Sequence, residues 1–278
     1  MNHDTTTALV AVRTGTMGWS YDDWRGPFYT PDTTLTRLLE NYARIPGFDT
    51  VELDTTFYGV PRASTIAGWD AQTPSGFLFS AKVPKALTHE RRLVEAAPLA
   101  RDFGNLLFEK LGPKLGGLLL QLPPDFSVEE RSNLETFVVG ITENSDSPLP
   151  WVVEFRHASW VGTDIATTLA HHGVACVTTE RLDVGGPLRY IRLLGTTNSV
   201  ARFDARQFDR GTDLDTWAAR LDAARQSSAP REQTGTAPIL VYVRNFFEGH
   251  APATINELRR RLHLPVSPPP GAQQMSLF

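Results

Sequence analysis

The segment Val152-Val153-Glu154-Phe155-Arg156 shows the pattern that decides the fold, because an apolar run here ends in charged residues. The same pattern recurs at Val51-Glu52-Leu53-Asp54, Phe79-Ser80-Ala81-Lys82, Leu118-Leu119-Leu120-Gln121, Tyr190-Ile191-Arg192 and Val241-Tyr242-Val243-Arg244-Asn245. Strands that are buried on both faces read as nearly continuous apolar runs. Polar groups gathered at the carboxyl ends of such strands are typical of a parallel barrel with one functional face.

Eight segments read as strands, and helical segments separate most of them. The strands are predicted at 9–15, 49–53, 77–82, 116–121, 151–156, 174–178, 188–194 and 238–244, and the helices at 33–45, 62–72, 96–111, 128–140, 162–172, 213–225 and 252–262. Too few residues separate strands six and seven for a full helix.

The prediction is therefore an α/β protein with a single (β/α)8 TIM-like barrel over residues 1–264, lacking one helix between strands 6 and 7. A flexible Pro-rich tail follows at 265–278. A doubly wound open sheet is the alternative, but Gly15-Thr16-Met17-Gly18 lacks the third glycine of a dinucleotide-binding loop.

Composition narrows the class of protein. The net charge of −4 excludes a generally basic nucleic-acid coat, although a local basic patch remains open. Cys176 is the only cysteine, so no intrachain disulfide can form, which suits a reducing compartment. The residues after Met1 show no secretory signal, and no apolar run reaches the ~20 residues that a membrane helix needs. These features predict a cytoplasmic protein without a membrane partner.

The strand ends supply a candidate site, since side chains two residues apart share one face of a strand. If these faces point into the barrel mouth, Lys82, Arg156 and Arg192 can hold a phosphate or carboxylate. Glu154, and next Glu52, is then the candidate acid or base, as expected of a hydrolase or lyase. His157 joins the catalytic candidates, and the further anion-binding candidates are Gln121, Asn245, His89 and His250. The alternative is a fully paired ionic network that only fills the barrel.

A divalent metal site is the alternative to an anion site at the same strand ends, and it is the less favoured of the two. His89, His157 and His250 follow strands three, five and eight, and with the two glutamates they could act as ligands. However, the three cations expected at the mouth disfavour a metal ion, and no clustered ligand spacing is present. We therefore predict neither a cofactor nor metal ligands, and we expect Cys176 to be a buried apolar side chain.

The loops after strands one to three combine aromatic and basic residues. The aromatic ones are Trp19, Tyr21, Trp24, Phe28, Tyr29, Phe57 and Tyr58, and the basic ones are Lys85, His89, Arg91 and Arg92. Together they could form a stacking platform for nucleic-acid bases beside a strip for phosphates. For the aromatic residues we prefer the alternative, a hydrophobic plug that closes one end of the barrel.

Six motifs resemble the DUF72 family of YecE-like proteins, in matching order from about Gly15 to Leu262. They are Gly15-Thr16-Met17-Gly18-Trp19-Ser20-Tyr21, Val51-Glu52-Leu53-Asp54-Thr55-Thr56-Phe57-Tyr58, Phe79-Ser80-Ala81-Lys82-Val83-Pro84, Gln121-Leu122-Pro123-Pro124, Glu154-Phe155-Arg156-His157-Ala158-Ser159-Trp160 and Glu248-Gly249-His250-Ala251-Pro252. The resemblance implies a TIM barrel and little about activity, although an endonuclease-IV-like DNA-binding role is among the proposals for the family.

The chain departs from the family pattern at three points. Leu194 stands where the motif Arg-Leu-His-Gly has its histidine, and Asp54 stands where asparagine is common. Arg244-Asn245-Phe246 replaces a more usual Phe-Asn-Asn. The missing histidine argues against a histidine-centred mechanism on strand seven.

The last five residues, Gln274-Met275-Ser276-Leu277-Phe278, resemble the pentapeptide that binds the bacterial sliding clamp. In such a peptide Leu277 and Phe278 would fill an apolar pocket while Gln274 makes polar contacts. The alternative is a disordered end that folds back on the barrel.

Three hypotheses about function follow. The first is an enzyme acting on a phosphate-bearing substrate, including damaged nucleic acid in DNA repair, that the DNA polymerase sliding clamp recruits to DNA. The second is a non-catalytic nucleic-acid-binding or clamp-associated factor. The third is a small-molecule enzyme, for example one acting on sugar phosphates. Fold analogy does not choose among them.

Overall fold

The computed structural model describes residues 9–143, 148–227 and 237–268, and its eight strands form one closed parallel barrel in sequence order. The strands are β1 (Val12–Met17), β2 (Thr50–Leu53), β3 (Leu78–Lys82), β4 (Leu115–Gln121), β5 (Trp151–Glu154), β6 (Ala175–Thr179), β7 (Tyr190–Leu193) and β8 (Ile239–Val243). Pairing of β1 with both β2 and β8 closes the barrel. The predicted (β/α)8 architecture is confirmed, and the open-sheet alternative is wrong.

Seven α-helices surround the strands in the described ranges. They are α1 (Leu38–Arg44), α2 (Ala63–Ala71), α3 (Ala97–Leu111), α4 (Arg131–Thr142), α5 (Ile165–His171), α6 (Gly211–Ser227) and α7 (Ala251–Arg261). Residues 180–189 contain no helix, so the predicted gap between strands 6 and 7 is confirmed. None of the helices in these ranges is long and apolar enough to cross a membrane.

Local sequence explains where the helices begin and end. Helix α3 has Pro98 in its first turn, where a missing backbone N–H costs nothing, and Gly112 ends the helix with φ = 51°. Helix α1 stops before Pro46, and Gly47 then adopts φ = 90°. Helix α5 ends at His171-His172-Gly173, where Gly173 has φ = 71°. The glycine signals in the sequence therefore place these helix ends correctly.

Two predicted strand ends differ from the structure in a way that matters for the site. Strand β5 ends at Glu154 rather than at residue 156, and the buried Phe155 that follows packs in the outer core. Strand β1 runs from Val12 to Met17 rather than over 9–15, so Met17 reaches the carboxyl end of the barrel.

Apolar side chains form two separate cores. The larger core lies between the strands and the surrounding helices and contains residues such as Phe79, Leu118 and Ile191. A smaller core contains Met17, Leu119, Val152, Val177, Tyr190, Leu194, Leu240 and Tyr242, which are side chains of the barrel interior. The alternation of side chains along each strand assigns every second residue to the interior.

Hydrogen bonds hold residues 262–268, the described segment after α7, against that helix. Arg259 donates to the backbone carbonyl of Pro265, and the side chain of Asn256 forms hydrogen bonds of 2.6 and 3.0 Å with Ser267. The predicted tail residues Gln274, Leu277 and Phe278 lie outside the described residues. The domain boundary at 264 and the clamp-binding motif stay predictions.

Candidate functional site

The barrel interior changes from apolar at its amino end to charged at its carboxyl end. Leu240 and Val152 lie among apolar side chains, and above them Tyr242 donates or accepts hydrogen bonds of 2.6 and 2.7 Å with Thr50 and Ser80. One further step along the strands come the charged and amide side chains of Glu52, Lys82, Gln121, Glu154 and Arg192. This top layer is the candidate site, at the face where functional groups of (β/α)8 barrels gather.

Arg192 on β7 connects two buried glutamates across the barrel. Its Nε and Nη2 atoms donate to the two carboxylate oxygens of Glu52 at 3.0 and 2.8 Å, and its Nη1 atom donates to Glu154. The exposed fractions of the three side chains are 2%, 0% and 1%. Charges this deeply buried are stable only when they are paired and hydrogen-bonded. Arg192 therefore has few free donors for a ligand.

Neighbouring polar groups complete the pairing of the two glutamates. The hydroxyl of Tyr190 donates to Glu52 at 2.8 Å, and the side-chain amide of Gln121 donates to Glu154 at 2.9 Å. Tyr190 has room inside the barrel because residue 117 is glycine, where a Cβ atom would lie only 2.9 Å from the tyrosine ring.

The environment of Glu154 keeps it ionised. Burial alone would raise the pKa of Glu154, but the charge of Arg192 and the hydrogen bonds from Arg192 and Gln121 lower it below its ordinary value. Glu154 is therefore a carboxylate at neutral pH, able to accept a proton but not to donate one. Within the described residues it accepts two side-chain hydrogen bonds, whereas Glu52 accepts three. A carboxylate offers about four lone-pair sites, so Glu154 keeps more of them free.

Lys82 lies between this buried network and the solvent. Its Nζ atom is 2.5 Å from Asp54 and 3.9 Å from Glu52, and 13% of the side chain is exposed. The same ammonium lies 5.8 Å from the ring centroid of Phe57, which forms part of the rim. Lys82 is thus the cation at the centre of the mouth that a ligand can reach.

Arg156 and His89 lie together on the rim outside the network. Arg156 is exposed and forms no ion pair with a carboxylate among the described residues. His89 is partly exposed, contacts Thr88 at 2.9 Å and packs edge-on against Phe57 at 5.1 Å. Burial, and then the charge of Arg156, lower the pKa of His89, so the imidazole is mostly neutral at pH 7.

Three other predicted site residues hold backbone groups instead. His157 accepts from the amide of Ser159 at 3.3 Å and caps a short 3-10 helix at 158–160. The side-chain oxygen of Asn245 accepts from the amide of Ala251 at 3.0 Å, and Nδ1 of His250 accepts from Ala253 at 3.3 Å. Asn245 and His250 thus fix the start of α7, and they are 3% and 5% exposed. Burial lowers the pKa of His250 to about 4, so this imidazole is neutral.

The structure places Arg244 at the mouth, which our sequence reasoning missed in favour of Asn245. The charges of Asp54 and Arg192 act on the pKa of Arg244, so its guanidinium lies beside the charged layer. The available signal was the apolar run of β8, which ends in Arg244. Tyr21 also lies here, and its hydroxyl donates to the carbonyl oxygen of Met17 at 2.5 Å.

The aromatic loop residues are mainly a plug, with one exception. Trp24, Phe28 and Tyr29 are buried against one another. Tyr58 is 77% exposed and contacts Phe57 edge-on at 5.4 Å. Among the basic residues, Arg92 is bound to Glu130 and Asp125. Only a small part of the predicted stacking platform is therefore open to a ligand.

A large cavity lies away from the charged mouth. It measures about 780 Å³ and lies between α5, α6 and the helix-free connection from β6 to β7. Small and apolar residues line it, and Arg189 is the one charged side chain among them. The absent helix explains the cavity, whereas the groups able to perform chemistry lie at the opposite end of the barrel.

Nothing in the described parts of the chain forms a metal centre. No three His, Cys, Asp or Glu side chains within residues 9–143, 148–227 and 237–268 are placed to hold a metal ion. Cys176 is 5% exposed, and burial raises the pKa of its thiol to about 12, so the group is not a thiolate nucleophile at neutral pH.

Solved structures with the same fold include two proteins of one family. A DUF72 family protein from Enterococcus faecalis superimposes with a TM-score of 0.64 at 16% identity, covering 93% of this chain and 100% of that chain. A DUF72 family protein from Thermotoga maritima gives a TM-score of 0.63 at 23% identity, covering 90% and 97%. At these identities the likeness supports the fold alone.

Sequence comparison identifies the same family. The chain is 32% identical to the UPF0759 protein YecE of Escherichia coli over 119 residues, which are 43% of this chain and 41% of YecE. It is 26% identical to the UPF0759 protein YunF of Bacillus subtilis over 151 residues, or 52% and 51% of the two chains. The matched segments thus span about half or less of each relative. The family described as "Protein of unknown function DUF72" matches residues 13–275, nearly the whole chain, and the chain belongs to this family.

Proposed function

We propose that the barrel mouth binds a phosphate-bearing substrate and catalyses a proton-transfer-assisted reaction on it. One observation carries the proposal: a rigid, fully buried Glu52–Arg192–Glu154 network lies directly beneath the partly exposed Lys82. The network fixes the positions of charges that would otherwise be mobile, and such preorganisation is the main source of electrostatic catalysis.

Each residue has a distinct part in this proposal. Lys82 and the exposed Arg156 contact the oxyanion, and Gln121 and His89 add hydrogen bonds at its edge. Arg192 acts mainly as a positioning residue, because both glutamates already occupy its fork. Glu154 is the general base, since its carboxylate is ionised and retains free lone pairs.

The exposed Tyr58 supports nucleic acid over a sugar phosphate as the substrate. Its ring packs edge-on against Phe57, and the ammonium of Lys82 lies 5.8 Å from the centroid of Phe57. A base could stack on Tyr58 while its phosphate reaches the ammonium. The C-terminal pentapeptide supports recruitment to DNA through the sliding clamp. A non-catalytic binding role would use the same mouth without turnover.

Calorimetric measurement of inorganic phosphate binding at low ionic strength tests the proposal. Lys82→Met and Arg156→Gln should each weaken phosphate binding by about tenfold, because a charge-assisted hydrogen bond contributes about 1.5–3 kcal/mol. Lys110→Met on α3 and Arg44→Gln on α1 are matched controls, since both lie near the helix ends at the opposite side of the barrel. Equal loss in the controls, or no phosphate binding by the unaltered protein, would contradict the proposed function.

A further inference from the structure

Arg244, like Arg156, is a cation at the mouth that forms no ion pair with a carboxylate of the described residues. It follows β8, and its guanidinium lies over the ring of Phe246 at 4.6 Å from the centroid. Its one side-chain hydrogen bond to a described residue is from Nη1 to the hydroxyl of Thr197, at 3.1 Å. No carboxylate among the described residues forms an ion pair with it. Most of its five donors are therefore free.

The surroundings make this unpaired charge costly. The side chain is partly buried, and burial lowers the pKa of Arg244 below its ordinary value. Among the neighbouring charges that of Asp54 is the strongest and raises the pKa, whereas those of Arg192 and Arg181 lower it, and the pKa stays lowered because burial has the largest effect. A bound anion would remove this penalty, because it supplies the missing counter-charge at a partly desolvated site.

The position of Arg244 separates it from the first anion site. Lys82 and Arg156 extend from β3 and β5, whereas Arg244 extends from β8, on the other side of the buried network. Aromatic rings form the wall on this side, since Phe203 packs edge-on against both Phe246 and Tyr21, at 5.2 and 5.9 Å. Asp54 acts on both regions, since it pairs with Lys82 at 2.5 Å and its charge also raises the pKa of Arg244. The two cationic regions belong to different strands of one mouth.

We infer that Arg244 and Thr197 form a second anion subsite, so that the ligand of this mouth carries two separated anionic groups. This inference rests on the proposed function, because the Lys82–Arg156 region has to bind the first group. The ligand class is a bisphosphate or a strand with successive phosphates, with its spacer against the aromatic wall. An anion that carries a single charged group leaves one subsite empty.

Calorimetry with phosphonates of known length tests the inference. The probes are methylphosphonate and a series of alkylene bisphosphonates with increasing numbers of methylene groups. At one spacer length the bisphosphonate should bind at least about tenfold more tightly than methylphosphonate, which corresponds to about 1.4 kcal/mol. Two equivalent ends alone would give a factor of about two.

The variants separate the second subsite from the first. Arg244→Gln should abolish the gain of the bisphosphonate while changing methylphosphonate affinity by about twofold at most. The matched control is Arg220→Gln on α6, because Arg220 also lies over an aromatic ring, that of Trp217 at 4.6 Å, but away from the mouth. Thr197→Val alters an exposed residue and removes the hydroxyl that holds the Arg244 guanidinium. It should therefore reduce the extra affinity of the bisphosphonate over methylphosphonate.

The possible outcomes are distinguishable. If methylphosphonate binds but no spacer length gives a gain, or if Arg244→Gln or Thr197→Val keeps the gain, the second subsite is refuted and the proposed function stands. If the unaltered protein binds no phosphonate, the proposed function fails and this inference fails with it.

Discussion

Arg192 determines the ionisation of the site, because its guanidinium is shared between two buried carboxylates. Burial alone would lower the pKa of Arg192, but the charges of Glu154 and Glu52 raise it well above its ordinary value. Burial and the charge of Glu52 both raise the pKa of Tyr190, so its phenol stays protonated and remains a hydrogen-bond donor. The same residues that look like independent catalytic candidates in the sequence are thus one coupled unit.

Replacement of Arg192 by Met should destabilise the protein in a pH-dependent way. Loss of one partner from a buried ion pair costs about 3–5 kcal/mol at neutral pH. Without Arg192, burial raises the pKa of Glu154 above the value of about 4.3 that a free glutamate has. A raised folded-state pKa favours the native state below the unfolded pKa, and this advantage is lost as pH rises through the folded pKa. Urea unfolding should therefore show a larger deficit at pH 8 than at pH 5.

The unaltered protein should instead lose stability as the pH falls into the acid range. The pKa of Glu154 is lowered on folding, so its contribution is present above the unfolded pKa and is lost as pH falls through the folded value. The matched control for Arg192→Met is Arg44→Met, because 68% of the Arg44 side chain is exposed and its loss leaves no buried carboxylate unpaired. An Arg192→Met deficit that is the same at pH 5 and pH 8 would show that the glutamates do not depend on Arg192 for their ionisation.

At the scale of elements, the start of α7 shows how a loop can use polar residues that resemble site residues. Asn245 accepts a hydrogen bond from the amide of Ala251, and His250 accepts one from the amide of Ala253 in the same helix. Glu248 between them accepts from Arg206 at 2.6 Å and so holds the connection from β7 to α6. These side chains hold the loop through hydrogen bonds within it, although Oε2 of Glu248 and Nε2 of His250 have no partner among the described residues.

Asn245→Ala should reduce stability without changing phosphate binding. The buried amide of Ala251 loses its acceptor, and an unsatisfied buried group costs about 1–3 kcal/mol. In a protein of this size, 1 kcal/mol shifts Tm by about 2–4 °C, which calorimetric melting resolves. Asn245→Asp is the control, because it keeps the acceptor and places a negative charge at a helix N-terminus. A native Tm combined with weakened phosphate binding would instead support Asn245 as an anion ligand.

At the scale of the whole molecule, the sequence predicts the barrel well because parallel strands leave a strong signal. Runs buried on both faces, with polar ends and glycine stops between them, define both the elements and the face that carries the site. Alternation along the strands also predicts that Glu52, Lys82 and Arg192 share this face. What the sequence does not show is where each strand stops. Strand β5 ends at Glu154, which leaves Arg156 on the rim. Strand β8 ends at Val243, so alternation alone does not decide between Arg244 and Asn245.

The last five residues of the sequence predict one partner, the sliding clamp. A pocket that receives Leu277 and Phe278 removes apolar surface from water at roughly 25 cal/mol per Å². Because a short peptide must also be ordered on binding, the expected affinity is micromolar, about −8 kcal/mol. Calorimetry of the full chain against a bacterial sliding clamp should show this binding, and the double change Leu277→Ala, Phe278→Ala should remove it. Lys82→Met is the control, since a change in the mouth should leave clamp affinity intact. No measurable heat from the unaltered chain at high micromolar concentration would reject clamp recruitment, and the site would then have to find its substrate without that partner.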